Sequence, residues 1–197
     1  MAAASIVEVP AVLAARGMST LADRLRAVHD ALNDAGFAHA FGGAIALAYC
    51  TEEPRGTRDL DVNVFVGVER AHEVLDALPE GVSVTKGDRR RAKNEGQVRV
   101  MWDGTPIDLF FDMHEFHHQV AAEVGEVPFE DTTIPVLSCD ALVVFKAMFN
   151  RTRDWADIES IFEAGTTNAP RVLKILRSIL GESDPAVARL QDLVRHA

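Results

Sequence analysis

No run in this chain is long and apolar enough to cross a membrane. About 18 consecutive apolar residues are required, and the longest candidate, residues 40–50, is short and interrupted by Gly42 and Gly43. A secretory leader is not expected either, because the Ala- and Val-rich first 17 residues lack a basic start and carry Glu8 before Pro10. Residues 1–17 read instead as a loosely held arm, with Met18 a second candidate start. Cysteine is scarce: Cys50 and Cys139 stand 89 residues apart with no CxxC spacing. The expectation is two small buried hydrophobes in a reducing, cytoplasmic compartment, neither a staple nor a zinc site. Internal repeats, low-complexity linkers and any recognisable Ser/His/Asp or Cys/His arrangement are also absent.

What is present suits a globular chain. With 197 residues, 48% of them hydrophobic, there is material for one generous domain or a catalytic domain with a helical appendage. The net charge of −10 is uneven. Residues 86–99 hold six basic residues against two acidic ones, a local +4 that leaves −14 for the rest. An acidic body repels nucleic acid, so any polyanion contact has to be local. Lys86, Arg89, Arg90, Arg91 and Lys93 are the candidates, and an ordinary solvated loop is the competing reading.

Periodicity gives a mixed first part. Ser19 or Thr20 starts a helix whose Leu21, Leu25, Val28 and Leu32 recur at helical spacing, with Gly36 as its stop. A short strand over 37–41 meets Gly42-Gly43, and a helix follows from Ala44. After Pro54 and Gly56, polar and apolar residues alternate from Asp59 to Val64, a half-buried strand. Residues 69–78 fit a helix. The runs 98–102 and 105–111 flank Asp103-Gly104, a strong hairpin signal. Another strand is expected near 132–137. From Ser138 onward the pattern is helical: 140–149, 154–164, 171–180 and 184–194, the last opened by Asp184-Pro185. The expected class is α+β, a mixed sheet flanked by helices over 1–137, then a helical region over 138–197.

Three features carry chemistry. Asp59 and Asp61, two apart on a strand, leave the same face, together with Thr57 and Asn63. Two adjacent carboxylates repel, and hard oxygens suit Mg²⁺ with substrate phosphate. Asp108 sits within the apolar run 107–111, where an uncompensated charge costs several kcal/mol, so a third ligand for the same metal pair explains it. Gly42-Gly43 between a strand and a helix lets backbone N–H groups approach a phosphate. His114, His117 and His118 lack the H-E-x-x-H pattern and a cysteine partner, which favours a cluster at a helix start over a zinc site.

Taken together, Gly42-Gly43, Thr57-Arg58-Asp59-Leu60-Asp61 and Asp108 resemble the nucleotidyltransferases of the polymerase-beta-like superfamily. Residues 145–158, with Lys146, Arg151, Asp154 and Asp157, resemble the AbiEii/MenT branch, whose members are toxins of toxin–antitoxin pairs, some extending tRNA 3′ ends. The resemblance implies in-line attack on the α-phosphorus of an NTP, with two metal ions about 3.5–4 Å apart. Asp59 and Asp61 would bridge both metals, and Asp108 would complete the acceptor side and serve as base. Thr57 and the glycine turn would hold the triphosphate, while Arg58 or Lys146 neutralises the pyrophosphate. Asp154 and Asp157 would join the nucleotide site, although helix capping and pairing with Arg151 or Arg153 compete equally. The implied partners are an NTP, tRNA or another RNA and an antitoxin protein. A small hydroxylated acceptor such as an aminoglycoside is the alternative, since an acidic body suits a cationic drug.

Overall fold

The computed structural model describes residues 20–53 and 56–196. The arm expected over 1–17, along with Met18, Ser19 and Pro54, lies outside the described residues. Helix α1 (Leu21–Asp34) starts at a capping box in which the Thr20 hydroxyl accepts from Asp23 N–H and the Asp23 carboxylate accepts from Thr20 N–H. Its apolar stripe, Leu25, Val28 and Leu32, is fully buried. Strand β1 (His39–Phe41) ends at Gly42, which caps α2 (Gly43–Thr51). Strand β2 (Leu60–Gly67) follows, then a single 3₁₀ turn, α3 (Ala71–Ala77) and the short β3 (Val82–Ser83).

Residues 86–99 are not a loop. Helix α4 (Lys86–Glu95) takes most of them, opened by a second capping box between Thr85 and Asp88 and closed by Gly96 in the left-handed conformation. The remainder enters β4 (Gln97–Trp102), which turns through Asp103-Gly104 into β5 (Thr105–Asp112). Both turn residues have positive φ, as a two-residue hairpin turn requires. Helix α5 (Glu115–Ala121) leads to a second hairpin, β6 (Gly125–Phe129) and β7 (Thr132–Val136). The chain then forms α6 (Cys139–Phe149), α7 (Thr152–Glu163), α8 (Ala169–Leu180) and α9 (Pro185–His196). Asp184 accepts from Ala186 N–H at the start of α9. Strands β3 and β6 are too short and too polar to stand out in the sequence pattern.

The strands form one mixed sheet in the order β3-β4-β5-β2-β1-β7-β6. Its two central strands, β2 and β5, run parallel, and β4 and β1 flank them antiparallel. Leu60, Val62 and Val64 lie level with Ile107, Leu109 and Phe111, and all six are buried on one face. Helix α1 spans that side, because Arg24 reaches Trp102 O and Thr105 near one hairpin turn while Arg26 reaches Glu130 and Asp131 at the other. The alternate residues of β2 and β5 point to the opposite face. Among the described residues no helix is long and apolar enough to cross a membrane.

Two expectations are corrected here. Asp59 lies just before β2, not in it. The Thr57 hydroxyl donates to Asp59 Oδ1 at 2.6 Å and accepts from Asp59 N–H at 3.4 Å, a local turn that competes with the strand ladder. The cysteines are not free: Cys50 near the end of α2 and Cys139 at the start of α6 form a disulfide with their Cα atoms 5.6 Å apart. Packing of α2 against α6 brings the pair together, which linear spacing does not encode. The pairing also withdraws the support that free thiols lent to a cytoplasmic location. A cross-link spanning 89 residues restricts the unfolded chain by about 4–5 kcal/mol on the loop-entropy view. Reductant should therefore lower the urea midpoint of the wild-type chain, and the double variant Cys50→Ala, Cys139→Ala should melt at that lower midpoint with or without reductant. A wild-type midpoint indifferent to reductant would count against the bond.

Candidate active site

The register of the sheet sets the site. Asp61 on β2 pairs level with Asp108 on β5, and Asp108 pairs level with Arg99 on β4. Arg99, Asp108 and Asp61 thus form one row across three strands on the face opposite the apolar triplets. One step along, Gln97, Phe110 and Asn63 form a second row on the same face. Both rows floor a cleft of about 810 Å³ whose wall also includes Gly43, Thr57 and Asp59. From the helical side, Lys146 on α6 and Arg151, Arg153, Asp154 and Asp157 at the α6–α7 junction close it.

Asp61 lies deepest of the three carboxylates. Burial, followed by repulsion from Asp59 and Asp108, raises its pKa to about 6, against the weaker pull of Lys146 and Arg151. Gly43 makes room for it. Its φ is +50°, and a Cβ there would overlap the Asp61 carboxylate. The Gly42 N–H donates to the Asp61 carbonyl at 2.9 Å, so the glycine turn is tied to the strand that carries the acid. The same turn starts α2, whose N-terminal N–H groups and dipole favour phosphate.

Asp108 faces Arg99. The guanidinium donates through Nε to Oδ1 at 2.7 Å and through Nη2 to Oδ2 at 2.5 Å, and Nη2 lies 4.0 Å from Asp59 Oδ2. Lys146 is buried on α6, its ammonium donating to Asp157 at 2.6 Å with Asp154 at 3.8 Å. Asp154 in turn accepts from the Arg151 backbone N–H and side chain, an N-terminal cap for α7. Capping and ion pairing therefore account for Asp154, while Asp157 holds the Lys146 ammonium at the cleft wall.

No three His, Cys, Asp or Glu side chains among the described residues are grouped to hold a metal ion as they stand. Both oxygens of Asp108 face Arg99 and one of Asp59 faces Thr57, so these carboxylates are directed at protein donors. The residues still fit Mg²⁺ by their chemistry. They are hard oxygen donors on one face, one of them seated where a glycine leaves space, and their mutual repulsion is what a divalent ion relieves.

Of the residues singled out in the sequence, the cleft unites Gly43, Thr57, Asp59, Asp61, Asp108, Lys146, Asp154 and Asp157. Gly42 lies behind it as the helix cap. Arg58 is exposed and takes no part in the cleft wall. Among the α4 residues, Arg91 lines the cleft, Arg89 pairs with Asp76 at 2.7 Å, and Lys86, Arg90 and Lys93 are exposed. The three histidines gather at the start of α5. There His118 Nε2 lies 2.6 Å from Asp112, and burial lowers the pKa of His117. Sequence reasoning missed Arg99 as the partner of Asp108. Counting outward from a two-residue Asp103-Gly104 turn places residue 99 opposite 108, so the signal was there.

No protein-family model matches the chain, and no curated protein does. The seven-stranded mixed sheet with its flanking helices is a nucleotidyltransferase-like fold. The solution structure of the antibiotic-resistance factor ANT(2'')-Ia overlays it with a TM-score of 0.57 at 16% identity, covering 89% of this chain and 97% of that one. The crystal structure of ANT(2'')-Ia with adenylyl-2''-tobramycin gives 0.56 at 12% identity, over 91% and 100% of the two chains. The lincomycin-bound lincosamide adenylyltransferase LnuA gives 0.50 at 13% identity, over 72% and 96%.

The Asp61 environment has a thermodynamic consequence. Its folded pKa of about 6 exceeds the ordinary value of 3.8, so between those values the folded chain binds more protons than the unfolded chain. Stability then falls as pH rises through that window and stays lower above it, by up to about 3 kcal/mol. In chelator, Asp61→Asn should be more stable than wild type at pH 7.5, and the gap should narrow towards pH 4.5 in urea titrations. A pH-independent gap would refute the assigned cause. Gly43→Ala should keep the fold by circular dichroism yet alter the pH dependence of stability seen in wild type, because the new Cβ displaces the Asp61 carboxylate.

Proposed function

We propose that this chain is a metal-dependent nucleotidyltransferase that moves a nucleoside monophosphate from an NTP to an acceptor hydroxyl. The observation that carries the reading is the cross-strand row in which Asp61 and Asp108 lie level, with Asp59 beside them and the Gly42-Gly43 turn against Asp61. In the reaction the acceptor oxygen bonds to the α-phosphorus and the bond from that phosphorus to the β-phosphate bridge breaks, releasing pyrophosphate. Asp59, Asp61 and Asp108 are the residues that would hold Mg²⁺, which when bound supplies charge stabilisation for the transferring phosphoryl group. The α2 N-terminus and Gly43 receive the triphosphate, Thr57 orients Asp59 through its hydroxyl, and Lys146 and Arg151 offset negative charge from the helical side. Asp108, once an oxygen is released by Arg99, is the group to take the hydroxyl proton.

For the acceptor, an RNA 3′ end, with tRNA as the leading case, is supported by α4. Its Arg91 lines the cleft beside Glu95, and Lys86, Arg90 and Lys93 are exposed on the same helix of an otherwise acidic chain. On this reading the chain is a toxin restrained by a partner protein. The second reading is a small hydroxylated acceptor. It is favoured by Phe110 and Phe149 in the cleft wall and by the overlay on proteins described with tobramycin and lincomycin.

Incubation with α-labelled NTPs and Mg²⁺ should transfer label either to total tRNA or to a panel of aminoglycosides and lincosamides, and Asp61→Ala should reduce transfer about 10³-fold. Absence of transfer to every acceptor with all four NTPs would refute the activity. Label on RNA that is unaffected when Lys86, Arg90, Arg91 and Lys93 are all changed to Glu would refute the role of α4.

A further inference from the structure

The carboxylate row includes a cation of its own. Arg99 and Asp108 are direct partners in the β4–β5 hairpin, whose two-residue turn fixes their register. The guanidinium occupies both Asp108 oxygens in a fork-to-fork contact, the geometry in which arginine binds a carboxylate most strongly. The pair joins an exposed cation to a half-buried acid, the Arg99 side chain being 56% exposed. The Asp108 side chain is only 16% exposed and faces the cleft, and the same Nη2 of Arg99 also approaches Asp59.

Charge then limits what else the row accepts. Asp59, Asp61 and Asp108 supply three negative charges, and Arg99 returns one. Lys146 and Arg151 are engaged by Asp157 and Asp154. A single divalent cation completes neutrality; a second would leave the row at +2 with Arg99 in place but at +1 without it, so Arg99 doubles the excess charge that a second ion must face.

We propose that Arg99 is a built-in cation of this site, a positioning residue that holds Asp108 and leaves the nucleotide-free chain to bind one divalent ion at Asp59 and Asp61. The inference rests on the reading of these carboxylates as metal ligands in the proposed transferase. Exchange of Arg99 for a neutral residue frees Asp108 and opens a second ion position.

The test is Mn²⁺ binding to the nucleotide-free chain, read as bound ions per chain by electron paramagnetic resonance, with circular dichroism melts to verify folding. Wild type should bind one ion, Asp108→Asn one, Arg99→Gln two, and Arg99→Gln with Asp108→Asn one again. Two ions on wild type, one on Arg99→Gln, or loss of the ion in Asp108→Asn would overturn the role of Arg99. No ion on wild type would instead overturn the metal reading of the site itself. Should Arg99→Gln fail to fold, Asp108→Asn decides alone: an ion retained supports the proposal and an ion lost overturns it.

Discussion

Parallel pairing of β2 and β5 places Asp61 and Asp108 level on neighbouring strands, and every other part of the site answers to that repulsion. Like charges so close in a half-buried cleft are costly unless a cation or a donor intervenes. The chain offers Arg99 to Asp108, the Thr57 hydroxyl to Asp59, and room beside Gly43 to Asp61. Asp61 is the least compensated of the three, and its pKa of about 6 records that. Uncompensated charge of this kind lowers stability in return for a local field that favours positive charge.

The surrounding fold exists to hold this arrangement still. The opposite face of β2 and β5 is a continuous sheet of Leu, Val, Ile and Phe, and its burial fixes the register, because a slip of one residue would turn the acids inward. Helices α6 and α7 close the other side through buried Lys146, Asp154 and Asp157, a network in which each charge has a partner. The disulfide between α2 and α6 links the element that starts at the glycine turn to the element that carries Lys146. The two walls of the cleft are thereby joined covalently as well as by packing.

The architecture is shared with the solved structures that overlay this chain, while the walls of the cleft have their own character. A basic helix lies at one side of the cleft and an aromatic pair, Phe110 and Phe149, at another. The first suits a polyanion and the second a stacked ring.

Much of this was written in the linear pattern. Period-two alternation around Asp61 marked which residues share a face, a charge within an apolar run marked Asp108, Asp103-Gly104 marked the hairpin, and Ser19 or Thr20 and Asp184 marked helix starts, because each rests on local backbone preference. The polar residues of α4 hid its helix, since a solvated helix with a single buried alanine leaves little apolar periodicity. Asp59 was assigned to the strand because alternation does not register a hydroxyl that bends the chain. By itself, then, the sequence determined most of the elements and the acids Asp61 and Asp108 that two of them carry. Only the tertiary structure decided that β5 pairs with β2, that Cys50 meets Cys139, that Asp157 takes the Lys146 ammonium and that Arg58 stays outside the cleft. Those outcomes depend on contacts between residues distant in the chain, which packing of the shared core selects and no local preference specifies.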